Sequence, residues 1–177
     1  TMDADDISLP NRLERQLSFL DSHPGIGLVG TRGRTFGGAI AREYSVPTHT
    51  EILKCALLFG PAFVDPSPMI RLDLLARHGI RWDESFLRDG SDNDFIFRFA
   101  AAFPVANLPE LLYWHRVHAA SISGRGQRDG AHRDALALDY TRKAFAFLGI
   151  DAAPAELELH ASITRGRHGQ TVEFLRQ

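Results

Sequence analysis

Three carboxylates lie within four positions close to the amino terminus, at Asp3, Asp5 and Asp6, and a proline follows at position 10. Like charges this close repel one another, and a bound divalent cation is the commonest compensation. If the stretch ends a strand, side chains alternate, so that Asp3 and Asp5 point to one side and Asp6 to the other. The spacing therefore predicts an Asp-x-Asp clamp, Asp3 with Asp5, for Mg²⁺ or Mn²⁺ that takes its other ligands from phosphates.

A second interpretation of these residues needs no metal. Asp6 or Ser8 can cap the helix that begins after Pro10, because short oxygen-bearing side chains accept hydrogen bonds from free backbone N–H groups. An EF-hand loop starting at Asp3 is excluded, since it requires Asp or Asn at Ile7 and Gly at Ser8. The residues alone leave both metal binding and capping open.

Composition excludes several classes of protein. The chain has 177 residues, 44% of them hydrophobic, which is enough to bury one substantial core. A net charge of −2 with both signs interspersed argues against a general nucleic-acid binder. The single cysteine, Cys55, excludes a disulfide framework and indicates a reducing compartment, so we expect a cytoplasmic location and a buried thiol. No stretch approaches the roughly 18 apolar residues of a membrane span.

Apolar periodicity predicts a series of short helices and strands. Leu13, Leu17 and Leu20 recur at i, i+4 and i+7, which predicts a helix from about Pro10 to Ser22 that buries this stripe and exposes its charged residues. Further along the chain we expect a buried strand, a glycine-rich loop with a loose hairpin, a short helix ended by glycine, two strands joined at a Leu-Pro turn, and two terminal helices, at residues 26–30, 31–48, 72–78, 105–118, 131–148 and 154–165 respectively.

A second acidic segment opens a predicted helix. One face of that helix carries, at i, i+3, i+4 and i+7, the residues Asp92, Phe95, Ile96 and Phe99. The Asp92 carboxylate should therefore face the protein interior at the amino end of the helix, either as a cap, a role that Ser91 can also fill, or as a general base. A helix amino terminus favours the ionised form that a base requires. Asp94 and Arg98 are expected to form a surface pair of little energetic weight.

A third group of polar residues follows the last predicted strand. It consists of Arg116, His118, Ser121 and Ser123, spaced as Arg-x-His-x-x-Ser-x-Ser. Arg116 and His118 alternate onto one face of a strand, where they can meet a diphosphate or its metal. Structural hydrogen bonding by His118 is the alternative.

Together these segments resemble the family-two nucleotide-sugar glycosyltransferases of the GT-A fold. The string from Met2 to Gln16, continued by Phe19-Leu20, Pro24 and Val29-Gly30, is similar to the metal-binding segment of that family. Asp92 matches the family's catalytic base in the motif Glu-Asp-aromatic-Asp-hydrophobic-Trp-hydrophobic-Arg, with Ser91 in place of the usual Glu and Phe97 in place of Trp. Asp65 stands where members commonly carry His.

The resemblance implies an α/β chain with a partial GT-A fold, in which a mixed sheet has flanking helices and a helical carboxyl-terminal tail. Residues 1–123 would form the metal- and acceptor-binding half, and residues 124–177 a flexible segment and the tail. In the family a nucleotide-binding half precedes the Asp-x-Asp motif. We therefore expect this chain to be the carboxyl-terminal part of a transferase.

The implied activity is inverting transfer of a sugar from a nucleotide-diphospho-sugar to a hydroxyl of a carbohydrate or lipid-linked acceptor. Mn²⁺ or Mg²⁺ would be held by Asp3 and Asp5, and Asp92 would act as general base. The diphosphate or substrate would contact Arg116, His118, Ser121 and Ser123. We also expect a homodimer and peripheral membrane association of the full-length enzyme, but no nucleic-acid partner. The alternative is a catalytically inactive, truncated domain that binds sugars or partners.

Overall fold

The computed structural model describes residues 2–38, 40–83, 91–118 and 130–165. Its strands are β1 (Ile7–Ser8), β2 (Leu28–Phe36), β3 (Glu43–Tyr44), β4 (Met69–Ile70) and β5 (Val105–Arg116). Its helices are α1 (Arg12–Ser22), α2 (Thr50–Leu57), α3 (Leu72–His78), α4 (Ser91–Ala102), α5 (Gly130–Phe147) and α6 (Pro154–Thr164). The mixed α/β class and the two terminal helices are confirmed, and no described helix is long and apolar enough to cross a membrane.

The sheet is built on two long parallel strands, β2 and β5, which run side by side from Leu28↔Val105 to Phe36↔Arg116. Strand β1 pairs antiparallel with the far end of β5, with Ile7 opposite Trp114. Strands β3 and β4 pair antiparallel with the other edge of β2. The acidic amino-terminal segment is therefore held next to the carboxyl end of β5.

The region predicted as two strands around a Leu-Pro turn is one continuous strand, so that prediction is wrong. Thr31 lies opposite Leu108, whereas the next residue, Arg32, lies opposite Leu111. The extra residues, Pro109 and Glu110, are therefore accommodated as an irregularity in the ladder. Proline lacks the N–H that a regular ladder requires, and it is tolerated here because the irregularity needs no ladder hydrogen bond from that position. Strand β2 also continues to Phe36 through residues expected as loop. Its residues Gly33 and Arg34 form the predicted hairpin with β3.

Apolar residues fill both faces of the sheet. The smaller cluster, on the α1 side, contains Leu20, Val29, Ala106, Leu108 and Leu112. The larger cluster joins α2, α4 and α5 to the sheet and contains Leu28, Leu53, Leu57, Phe63, Phe95, Ile96, Phe97, Phe99, Val105 and Tyr140 among others. Leu28 and Val29 belong to opposite clusters because successive strand residues point to opposite faces. Of the face of α4 predicted to point inward, Phe95, Ile96 and Phe99 are buried and Asp92 is half-buried, while Phe97, outside that face, is buried as well.

Helix α1 does not bury the leucine stripe predicted for it. Leu13 and Leu17 are 57% and 55% exposed, and the buried face instead carries Arg12, Gln16 and Leu20. The reason is a set of backbone carbonyls beneath the helix that need donors. Gln16 Nε2 donates to Val29 O at 2.8 Å and to Ser67 O at 2.9 Å, and Arg12 Nη1 donates to Ser67 O at 2.9 Å. Satisfying these buried groups outweighs burying two leucines.

Two further expectations about burial are wrong. Cys55 is exposed on α2, whereas the apolar run around it predicted a buried thiol. Asp94 is only 7% exposed, so its pair with Arg98 is not a surface pair. Arg98 donates to Asp94 Oδ2 from Nε at 2.9 Å and from Nη2 at 2.7 Å. Such a forked, partly buried pair carries more energy than an exposed one.

Of two neighbouring residues of α1, we expect substitution of the polar one to destabilise the fold more than substitution of the apolar one. Gln16→Ala leaves two buried carbonyls short of a donor, so we expect it to lower the free energy of unfolding by about 2 kcal/mol. Leu17→Ala removes an exposed side chain and should change it by less than about 0.5 kcal/mol. Urea denaturation followed by circular dichroism measures both. A larger loss for Leu17→Ala would show that the leucine stripe is the buried face after all.

Candidate functional site

The acidic segment forms a turn at residues 4–6, and β1 begins only at Ile7. The Asp6 backbone N–H donates to Asp3 O at 3.4 Å across this turn. Asp3 and Asp5 are exposed, whereas Asp6 is 8% exposed. The predicted separation of Asp6 from the other two carboxylates is therefore observed. It arises from the turn and not from the alternation of a strand.

Asp6 is a buried anchor that ties this turn to the end of β5. Its Oδ2 accepts a hydrogen bond from the Tyr113 hydroxyl at 2.5 Å, and its Oδ1 accepts one from the Arg116 backbone N–H at 2.7 Å. Burial, together with the bond to Asp6, raises the pKa of Tyr113, which therefore stays a donor at every ordinary pH. Asp6 thus stabilises the site and is not available to a ligand.

Neither residue proposed as a helix cap fills that role. The N-cap of α1 is Asn11, which makes no side-chain capping bond. Ser8 Oγ instead accepts from Arg12 Nε at 2.7 Å, and Asp6 is engaged with β5. The capping interpretation of the acidic segment is therefore wrong for both Asp6 and Ser8.

Asp5 meets two of the residues predicted to bind a diphosphate. Its Oδ2 lies 3.0 Å from His118 Nε2, and its backbone carbonyl accepts from Arg116 Nε at 2.8 Å. The hydrogen bond with His118 holds the pKa of Asp5 below its usual range. The Arg116 guanidinium also lies over the Phe36 ring, 4.4 Å from its centroid. The structure therefore brings Asp5 together with Arg116 and His118, which lie more than a hundred residues later in the sequence.

Asp3 connects the two acidic segments electrostatically. Although Asp3 is exposed by surface area, partial desolvation raises its pKa, and the negative charges of Asp6, Asp5 and Asp92 add to that effect. The influence of Asp92 places the start of α4 within electrostatic reach of the amino-terminal turn. Negative charge therefore accumulates where the two segments meet, which is the condition that a bound cation relieves.

Asp92 is hydrogen-bonded to a carboxyl group that sequence reasoning left without a role. Its partner is Asp65, half-buried in the extended segment between α2 and β4. Burial, the hydrogen bond to Asp92 and the charges of Asp92 and Asp3 raise the pKa of Asp65 to about 8. One sequence signal was available, because an acidic residue between Phe63-Val64 and Pro66 interrupts an apolar run.

A cavity of about 380 Å³ opens beside Asp65. Its polar wall is formed by Arg12 and Asp65, and its apolar wall includes Leu13, Met69, Ile70, Leu72, Leu75, Trp82, Phe95 and Ile96. The Trp82 ring stacks on Phe95, with centroids 4.3 Å apart and planes 15° from parallel. The exposed leucine of α1, Leu13, thus lines a cavity instead of the core.

Two of the predicted site residues, Ser121 and Ser123, lie outside the described residues. Within the described part of the chain, no three His, Cys, Asp or Glu side chains are grouped so that they alone could hold a metal ion. The other predicted residues, Asp3, Asp5, Asp92, Arg116 and His118, lie in the amino-terminal turn, at the start of α4, and at and just beyond the carboxyl end of β5.

The chain is similar to known proteins in sequence and in fold. No protein-family model matches the chain. The chain is 29% identical over 126 residues to the amylovoran biosynthesis glycosyltransferase AmsE of Erwinia amylovora, and the alignment covers 70% of this chain and 46% of that protein. Its fold is similar to that of TarS 1–349 from S. aureus, solved in complex with UDP. The TM-score is 0.55 at 16% identity, over 94% of this chain and 45% of that one.

The chain therefore spans a little under half the length of these proteins. At this identity the likeness to TarS shows the fold alone. It agrees with the expected partial GT-A-like arrangement of a mixed sheet with flanking helices.

Asp6 and Asp5, adjacent in sequence, should differ sharply in their effect on stability. In Asp6→Asn the side chain has only one acceptor oxygen for two donors, the Tyr113 hydroxyl and the Arg116 N–H, so one of these two hydrogen bonds is lost. We expect the free energy of unfolding to fall by about 1–2 kcal/mol. Asp5→Asn, at an exposed carboxylate, should leave the thermal midpoint unchanged. Differential scanning calorimetry checks both, and equal midpoints for the two variants would contradict the anchoring role.

Proposed function

We propose that this chain forms the metal- and acceptor-binding part of an inverting glycosyltransferase, which moves a sugar from a nucleoside-diphospho-sugar to an acceptor hydroxyl. The observation that carries the proposal is the contact of the amino-terminal acidic turn with Arg116 and His118, together with the electrostatic influence of Asp92 on Asp3. The turn carries Asp3 and Asp5, and the start of α4 carries Asp92. Similarity to AmsE supports sugar transfer, and the UDP in the TarS structure supports a nucleotide-linked donor.

Asp3 and Asp5 fit a cation that shares its ligands with a diphosphate. Asp5 is exposed and its lowered pKa keeps it ionised, while partial desolvation, together with the negative charges of Asp6, Asp5 and Asp92, raises the pKa of Asp3. Mg²⁺ and Mn²⁺ sites of this kind need one or two protein carboxylates, because phosphate oxygens complete the shell. When bound, the cation would offset charge on the leaving diphosphate. Arg116 and His118 would add hydrogen bonds to the same oxygens.

Asp92 would accept the proton of the acceptor hydroxyl. It lies in the first turn of α4, where free backbone N–H groups favour a negative charge. The carboxylate takes the proton as the acceptor oxygen bonds to the anomeric carbon and the diphosphate leaves from the opposite side, which inverts the linkage. The cavity beside Asp65 offers space for an acceptor close to this base.

The metal proposal can be tested on this chain by titration calorimetry with Mn²⁺, with and without UDP. We expect weak binding of Mn²⁺ alone and at least about tenfold tighter binding with UDP, because phosphate oxygens complete the ligand set. The double variant Asp3→Asn/Asp5→Asn should lose this effect. Asp73→Asn, at an exposed carboxylate of α3 paired with Arg77, is the matched control and should bind normally. Equal binding by the double variant would remove these residues from the proposal.

The base is tested by Asp92→Asn in the full-length enzyme, with release of UDP from UDP-hexoses as the assay. The amide keeps an acceptor oxygen but cannot take the proton, so the rate should fall by about 100-fold or more. The free energy of unfolding should change by less than about 1 kcal/mol. Asp94 is no clean control because it is buried against Arg98, so Asp73→Asn serves instead. Normal turnover by Asp92→Asn would refute the base.

Sugar binding without turnover in the unaltered enzyme would favour the alternative function, a catalytically inactive binding module.

A further inference from the structure

We propose that Arg34 and Arg116 form a paired-arginine site that binds the leaving diphosphate of the sugar donor. The inference rests on the proposed function, in which Arg116 contacts that diphosphate. Arg34 is not among the residues of that function. The paired-arginine site adds it as a second binding residue, and it assigns to each guanidinium an aromatic ring that supports it.

The two arginines lie on one face of the sheet, in a square of four side chains. In the parallel ladder of β2 and β5, Arg34 lies opposite Trp114, and Phe36 lies opposite Arg116. The Phe36 and Trp114 rings occupy one diagonal, with centroids 6.3 Å apart. The arginines occupy the other, with Cα atoms about 8 Å apart, since strands lie about 4.8 Å apart and two residues span about 6.6 Å. Both side chains are long enough to reach one ligand.

Each guanidinium is stacked on an aromatic ring of this square. The Arg34 guanidinium carbon lies 3.8 Å from the centroid of the Trp114 ring. That of Arg116 lies 4.4 Å from the Phe36 centroid, and Arg116 Nε also donates to Asp5 O at 2.8 Å. Stacking occupies the flat face of a guanidinium and leaves its N–H edge for planar recognition of phosphate.

Much of the hydrogen-bonding capacity of this patch is unused. Within the described residues, the Arg34 side chain has no hydrogen-bond or ion-pair partner, and its Nε is buried. The Arg116 side chain donates there only through Nε. Trp114 Nε1 is a further buried donor without an acceptor. Unsatisfied buried donors are costly, and a bound anion would supply acceptor oxygens to a patch that lacks them.

Two carboxylates adjoin the arginines, and other residues engage both. Glu43 lies opposite Arg34 in the ladder of β2 and β3, but its carboxylate accepts from Arg32 Nη2 at 2.8 Å. The Asp5 carboxylate lies 3.0 Å from His118 Nε2. Two guanidinium groups on one face repel each other, and a multiply charged anion between them relieves that repulsion. Arginine forks bind phosphate oxygens in pairs, so a diphosphate suits two of them.

The position of the paired-arginine site favours the diphosphate of the donor over an unrelated phosphate. Arg116 donates to the main chain of Asp5, which belongs to the proposed cation clamp. A cation held by that clamp and the Arg116 fork can therefore contact the same diphosphate. Arg34 lies one diagonal step further along the sheet, where it can bind the oxygens that the cation leaves free.

Titration calorimetry on this chain, with inorganic diphosphate and Mn²⁺ as the probe, tests the site. Arg34→Gln should weaken binding by about tenfold, as should Arg116→Gln, because charge-assisted hydrogen bonds are lost. Arg34→Lys keeps the charge but not the fork, so it should recover only part of the loss. Arg42→Gln is the matched control, since it removes an exposed cation from the segment between β2 and β3. It should bind within about twofold of the unaltered chain.

Variants of the Trp114 ring test the support beneath Arg34. Trp114→Phe keeps an aromatic face and should bind nearly as well as the unaltered chain. Trp114→Leu removes that face and should weaken binding by about three- to tenfold. Circular dichroism checks that each variant is folded. Equal binding by Trp114→Leu and the unaltered chain would overturn the role of the ring.

The same titrations separate this inference from the proposed function. Undiminished binding by Arg34→Gln would overturn the paired-arginine site and leave the proposed function intact. Equal losses in Arg34→Gln and Arg42→Gln would overturn it too, because net charge alone would account for both. If Asp3→Asn/Asp5→Asn binds diphosphate with full affinity while Arg34→Gln does not, the arginine pair stands and the cation clamp fails.

Discussion

The buried carboxylate of Asp6 holds the amino-terminal turn against the end of β5, and the geometry of the site depends on it. Its two hydrogen bonds, to the Tyr113 hydroxyl and the Arg116 N–H, join parts of the chain more than a hundred residues apart. A charged group this deep is stable only when its oxygens are satisfied. The same anchor orients the turn so that Asp5 faces outward, beside His118.

A second set of buried polar contacts positions the segment that carries Asp65. Helix α1 uses Arg12 and Gln16 to satisfy the carbonyl of Ser67, and this fixes the extended segment that carries Asp65. Asp65 in turn contacts Asp92 at the start of α4. Buried polar contacts of this kind specify a particular arrangement because few alternatives satisfy every donor and acceptor. Apolar packing forms the core, whereas these polar anchors determine where the carboxyl groups lie.

Carboxyl groups from three separate segments influence one another at this end of the sheet. Asp3 feels Asp6, Asp5 and Asp92, and Asp65 feels Asp92 and Asp3. Such a concentration of negative charge is unfavourable unless protons, hydrogen-bond donors or cations offset it. Hydrogen-bond donors satisfy Asp6, and the proposed cation would offset the charges of the exposed pair Asp3 and Asp5. Adjacent acidic residues therefore differ in burial and in the groups that compensate their charge.

The sequence by itself determined most of the local elements and marked the candidate site residues. Helical periodicity placed the inward face of α4, and the acidic, Arg and His motifs marked Asp5, Asp92, Arg116 and His118. These signals are local, because periodicity and spacing act within one element. Tertiary structure alone decided the exposure of Leu13 and Leu17, the burial of Asp94 and the contact of Asp65 with Asp92. Those outcomes depend on which carbonyls and carboxylates a distant segment brings into reach, and no pattern within a single element encodes that.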